Sequence, residues 1–132
     1  MLTDRDIATQ HLINQHIDGE QHPTPEAVVT WMGAIQAQDY KQALWAIGVR
    51  MQSATVAAVE AAIAAGKIIR TWPMRGTIHF IPADDVRWML ALCASRVLAG
   101  HGRRMRQLDL TEDTMRRCEA LFVDALSGKP PM

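Results

Sequence analysis

The chain has 132 residues, of which 48% are hydrophobic and 21% charged, and its formal net charge is zero. This size and composition suffice for the core of one domain and exclude an intrinsically disordered protein. There is no apolar run of the roughly 18–20 residues that span a membrane, no secretion signal, and no metal-binding cysteine spacing, so we expect a cytoplasmic protein with no membrane contact.

The neutral total hides an uneven distribution of charge. Residues 1–66 carry three basic and seven acidic side chains, whereas residues 67–132 carry eleven basic and seven acidic ones. Nine of those eleven basic residues are arginines, which suit bidentate contact with phosphate. The second half therefore favours an anionic partner such as nucleic acid, although a solvated helical surface would have the same composition.

Four helices are predicted in the first half of the chain. Thr24-Pro25-Glu26 offers an N-cap, a proline at the first helical position and an acid in the first turn. Gly66 can adopt the left-handed conformation that ends many helices. The predicted helices cover about residues 4–16, 25–35, 40–51 and 56–65.

A single β-hairpin is predicted at residues 67–81. Lys67–Trp72 is rich in β-branched and aromatic residues, Pro73–Gly76 supplies turn residues, and Thr77–Ile81 alternates again. Residues 82–85 then open a helix that should end near Gly100. A basic loop over residues 101–107, which could contain some helix, and a last helix capped by Thr111 follow.

Three helices followed by a two-stranded hairpin are typical of a winged helix, in which the hairpin is the wing. The predicted fold class is therefore mainly α with one β-hairpin, with a winged-helix-like unit at residues 1–82 and a helical extension at residues 83–132 that packs on it. The expected recognition helix, residues 56–65, looks built for burial, because it offers no Arg, Lys, Asn or Gln to DNA. DNA contacts would have to come from other positions, and the candidates are Arg70, Arg75, Arg103 and Arg104.

Gln36, Gln38 and Asp39 are the first candidates for chemistry. Two amides two residues apart share one side of an extended segment but diverge in a helix. Amides can hold a water or a sugar oxygen without acting as general bases at neutral pH. Asp39 is the better base, but it also stands where the N-cap of the next helix would be, and both roles stay open. On the residues alone, an ordinary turn or surface role is the commoner one for such glutamines.

The hairpin carries the second group of candidates. Arg75 lies in the turn, where it could clamp a phosphate or simply be solvated. His79 alternates with Ile78 and Phe80, and a lone histidine in a strand is more often structural than catalytic. The four tryptophans are expected in core and cap positions, with Trp72 as the one that could stack on a base. No phosphate-binding, dinucleotide-binding or zinc-protease motif is present, so we expect no cofactor and no metal ion.

Three segments together resemble the AlkZ-like winged-helix DNA glycosylase family. They are Trp31–Tyr40, Ala43–Arg50 and Arg70–Phe80, and the combination of Gln-Ala-Gln with Met-Arg-Gly-Thr-Ile-His is their most specific part. The resemblance implies tandem winged-helix units that form a concave face on double-stranded DNA and excise alkylated bases. It also implies a cytoplasmic, nucleoid-associated protein.

The resemblance assigns roles residue by residue. Gln36 and Gln38 match the catalytic Gln-x-Gln motif, whose amides direct the hydrolytic water. Arg75, Thr77 and His79 match the hairpin that lines the same cleft. Family chains are longer, so we expect residues 83–132 to begin a further, truncated winged-helix unit, and the chain alone could be inactive. The alternatives are a non-catalytic winged-helix regulator and a helical interaction domain with no nucleic-acid role.

Overall fold

The computed structural model describes residues 2–74 and 76–129. Within these ranges the chain forms six α-helices and a three-stranded antiparallel sheet, so the predicted fold class, mainly α and winged-helix-like, is confirmed. The helices are α1 (Asp4–Asn14), α2 (Pro25–Met32), α3 (Tyr40–Gly48), α4 (Val56–Ala64), α5 (Val86–Gln107) and α6 (Glu112–Leu126). The strands are β1 (Ile35–Gln36), β2 (Ile68–Met74) and β3 (Thr77–Pro82), and a 3-10 turn at Ala83–Asp85 leads into α5. Among the described residues, no helix is both long enough and apolar enough to cross a membrane.

Helices α2, α3 and α4 enclose one core with the sheet. The side chains with almost no exposure include Val28, Val29, Ile47, Val59, Ile68 and Phe80. The predicted helix starts are confirmed, because Thr24, Thr55 and Thr111 each accept a hydrogen bond from a backbone N–H in the first turn. Local capping chemistry therefore sets where the helices around the core begin.

The end of α2 differs from the sequence prediction. Gly33 takes a φ of 72°, so the helix stops at Met32 instead of running into Ile35. The next residues form β1, a third strand that the sequence prediction missed because it is only two residues long. β1 pairs antiparallel with the central strand β3, with Ile35 opposite Phe80 and Gln36 opposite His79.

Two other helices also differ from their predictions. α4 buries only Val59 and Ala62, so the expectation of a helix built for burial was wrong for most of its surface. α5 continues to Gln107, and the predicted loop at residues 101–107 is helical. A helix tolerates an internal glycine at a cost of about 1 kcal/mol, and the neighbouring arginines are good helix formers that suit a C-terminal turn.

Helix α1 is attached through polar and aromatic contacts, because it contains no buried residue. The His16 ring stacks on Trp31 with 3.9 Å between ring centroids, and its Nδ1 lies 3.0 Å from His22 Nε2. Arg50 Nη2 donates to Gln15 Oε1 at 3.2 Å. These contacts hold the end of α1 against α2 and the end of α3.

Candidate active site: a groove lined by two glutamines

Both candidate glutamines lie in an extended segment. Ile35 and Ala37 are buried, whereas Gln36 and Gln38 are exposed, as expected where successive side chains alternate between two faces. Pairing of β1 with β3 imposes this geometry, and the N–H of Ala37 extends it by donating to the Ile78 carbonyl at 2.9 Å. The two amides therefore point to the same side, which the sequence left open.

The amides line an open groove of about 610 Å³. Its other wall is one face of α3, and the groove is lined by Gln36, Gln38, Asp39, Gln42, Trp45 and Ala46. Gln42 and Trp45 were missed as site residues, although Gln42 follows Asp39 by three residues and Trp45 follows Gln42 by three, a spacing that predicts one helix face. The residues that the structure describes include no cluster of three or more His, Cys, Asp or Glu that could hold a metal ion.

The two amides differ in their hydrogen bonding. Gln38 Oε1 accepts from the backbone N–H of Ile78 at 3.3 Å. Because that N–H can only donate, the atom facing it must be the carbonyl oxygen, which leaves the amide NH₂ of Gln38 free to donate elsewhere. The Gln36 amide has no protein hydrogen-bond partner among residues 2–74 and 76–129. Within the described residues, therefore, the Gln38 amide is anchored by a hydrogen bond and the Gln36 amide is not.

Asp39 caps the helix that forms the groove wall. Its Oδ1 accepts from the backbone N–H of Gln42 at 3.1 Å, so the N-cap role is observed. The same carboxylate lines the groove. The Asp39 carboxylate can therefore contact a molecule that binds beside the glutamines.

Replacing Asp39 separates these two roles. We expect Asp39→Ala to lower the free energy of unfolding by about 1 kcal/mol, because the cap is lost, whereas Asp39→Asn should change it little, since asparagine also caps. Urea unfolding followed by circular dichroism measures both values. An Asp39→Asn variant that keeps its fold but loses the base excision implied by the family resemblance would show that the carboxylate takes part in the chemistry.

His79 is a buried residue of the central strand with one ring nitrogen hydrogen-bonded. Its side chain is 8% exposed, and Nδ1 lies 2.9 Å from the Thr77 carbonyl oxygen, so Nδ1 carries the proton in that contact. Opposed residues share a sheet face, which places His79 beside Gln36, although His79 does not line the groove. Thr77 Oγ1 donates to the Met74 carbonyl at 3.3 Å within the turn. Arg75 lies outside the described residues.

The remaining predicted DNA-binding arginines lie in different places. Arg70 donates from Nε and Nη2 to the Ala37 carbonyl, at 3.2 and 2.9 Å. Arg103 and Arg104 are exposed near the end of α5 and do not line the groove. The structure thus brings Arg70 to the glutamine segment and leaves the other two on a separate surface.

The tryptophans are more exposed than predicted. All four have more than a third of their surface exposed, so the expected core positions were wrong. Trp45 is 70% exposed and lines both the glutamine groove and an apolar hollow of about 590 Å³ between α3 and α4. An aromatic face beside two amides could stack on a base.

Comparison with known proteins identifies the segment that carries this site. A family model described as DNA glycosylase AlkZ-like matches residues 29–132. The match includes both glutamines, the hairpin and α5, and it excludes α1. Neither a curated protein nor a solved structure is significantly similar to the chain.

Proposed function

This chain belongs to the AlkZ-like DNA glycosylase family, and we propose that it hydrolyses the N-glycosidic bond of alkylated bases in double-stranded DNA. The observation that carries the proposal is the pair of amides on one side of an extended segment, in an open groove inside the matched region. We assign Gln36 and Gln38 the catalytic role. Chromosomal DNA as substrate would place the protein in the cytoplasm, at the nucleoid.

This chemistry suits side-chain amides, which form hydrogen bonds but do not take up or give up a proton at neutral pH. In an N7-alkylated purine the base is already cationic, so the bond from N9 to C1′ can break with its electron pair going to the base, without an acid. The sugar then resembles an oxocarbenium ion, which water attacks at C1′. The adduct releases its extra proton to solvent, so an amide has only to hold the water.

The different hydrogen bonding of the two amides suggests a division of roles. The NH₂ group of Gln38, whose oxygen is anchored on Ile78, can donate to one lone pair of the water. The carbonyl oxygen of Gln36 can accept one of its hydrogens. A water held in this way keeps its second lone pair for C1′, and placing that lone pair is the main contribution of the site.

Contacts with the duplex would come from the groove and from surfaces outside it. Arg103 and Arg104 are exposed on α5 and can contact phosphates, and Trp72 on the hairpin and Trp45 in the groove offer exposed aromatic faces. Helix α4 presents no Arg, Lys, Asn or Gln, and Glu60 is its one charged side chain, which favours binding without sequence preference. A repair enzyme has to bind DNA without sequence preference, because lesions occur in any sequence.

Base release tests the proposal directly. The 132-residue chain, in excess over a duplex with one 7-methylguanine, should release free 7-methylguanine faster than spontaneous depurination, as measured by chromatography of the small-molecule fraction. The same duplex with guanine should release nothing. A release rate equal to the protein-free background would overturn the proposed function.

The alternative is a non-catalytic winged-helix regulator, and the exposed arginines on α5 are compatible with it. A regulator prefers one sequence, typically by a factor of about 10³ or more, whereas a glycosylase should bind random duplexes equally. Titration of several duplexes at a series of salt concentrations distinguishes them. Sequence-selective binding together with no base release would establish the regulator instead.

A further inference from the structure

Arg70, in strand β2 of the hairpin, holds the backbone of Ala37, the residue between the two glutamines. Arg70 Nε and Nη2 both donate to the carbonyl oxygen of Ala37, at 3.2 and 2.9 Å. The N–H of the same residue donates to the Ile78 carbonyl at 2.9 Å. Both polar backbone groups of Ala37 are therefore held, while Gln36 and Gln38 project from either side of it.

The arginine itself is well placed for this task. Its guanidinium carbon lies 5.5 Å from the centre of the Tyr40 ring, so an aromatic face supports the group on one side. Tyr40 is the first residue of α3, directly after the Asp39 cap. The planar fork supplies two parallel donors to one oxygen, which the single ammonium of a lysine cannot reproduce.

We propose that Arg70 is a positioning residue for the amide groove, a role that rests on the proposed function of that groove. By fixing the Ala37 carbonyl it sets the direction of the peptide that leads into Gln38 and keeps the Gln38 oxygen on the Ile78 N–H. Arg70 does not line the groove, so it acts through the backbone. This role differs from the phosphate contact predicted from the sequence.

Kinetic and binding measurements distinguish a positioning role of Arg70 from a phosphate contact. We expect Arg70→Ala and Arg70→Lys to lower the single-turnover rate of 7-methylguanine release about tenfold, with the Kd for the duplex changed less than about twofold. A phosphate contact would instead raise the Kd for any duplex and reduce the slope of log Kd against log salt by about one. Arg117→Ala, which removes the same charge from exposed α6, is the matched control and should change neither.

Hydrogen exchange tests the same inference without activity. In both Arg70 variants the N–H groups of Ala37 and Ile78 should exchange at least about tenfold faster, while amides around Ile69 and Ile81, elsewhere in the hairpin, keep their protection. Unchanged exchange at Ala37 and Ile78, or equal loss throughout the hairpin, would overturn the positioning role. If the wild-type chain releases no base, the proposed function fails, and the exchange pattern alone decides the role of Arg70.

Discussion

Replacing both Gln36 and Gln38 with alanine is expected to slow release of 7-methylguanine by about 10² or more, equivalent to about 2.7 kcal/mol of transition-state stabilisation. The loss follows because the variant lacks both strand amides that would hold the attacking water, and Gln42, the remaining amide of the groove, lies on its opposite wall. Single-turnover release from a duplex with one 7-methylguanine measures the rate. The fold should persist, because both side chains are exposed.

The single variants refine this prediction. Groups that hold one water act as a unit, so Gln36→Ala and Gln38→Ala should each cost nearly as much as the double replacement. Gln107→Ala, at the exposed end of α5, is the matched control and should retain the wild-type rate. Base release by the double variant at the wild-type rate would show that the groove is not the active site.

The second large effect is expected at Phe80. Its side chain is 0% exposed at the centre of the sheet, opposite Ile35, and its ring meets the Tyr40 ring edge-on with centroids 6.0 Å apart. Phe80→Ala would remove most of this packing and leave a cavity, so the free energy of unfolding should fall by about 3–5 kcal/mol. Urea unfolding should show a midpoint lower by more than about 1 M.

The other phenylalanine in the chain provides the control. Phe122 lies on α6 and is 67% exposed, so Phe122→Ala should change the free energy of unfolding by less than about 0.5 kcal/mol. Equal destabilisation by both replacements would contradict this description of the core. Because Phe80 pairs with β1, partial unfolding in Phe80→Ala should also slow base release.

Local chemistry explains what the sequence could predict. The caps at Thr24 and Thr111 depend on residues within one helical turn, so they could be predicted from the sequence. The hairpin was readable because its strands are close in sequence and joined by turn residues. The family resemblance, carried by the glutamine and hairpin motifs, agrees with the match over residues 29–132.

Long-range pairing explains what the sequence could not predict. β1 exists because Ile35 pairs with Phe80, far along the chain, and two residues carry no recognisable strand pattern. The bond from Arg70 to Ala37 likewise joins separate elements. The exposure of Trp45 depends on how α3 and α4 pack, which aromatic content alone does not reveal.

The uninterrupted course of α5 has a consequence for how the protein would sit on a duplex. From Met89, buried where α5 begins, to Arg103 is roughly 20 Å along a rod rising about 1.5 Å per residue. A flexible loop would let the basic end change its position, whereas a continuous helix holds it at a fixed distance from Met89. If the glutamine groove holds the lesion and α5 runs along the duplex, the arginines would contact phosphates roughly six base pairs from the point where α5 begins, giving a footprint of constant length.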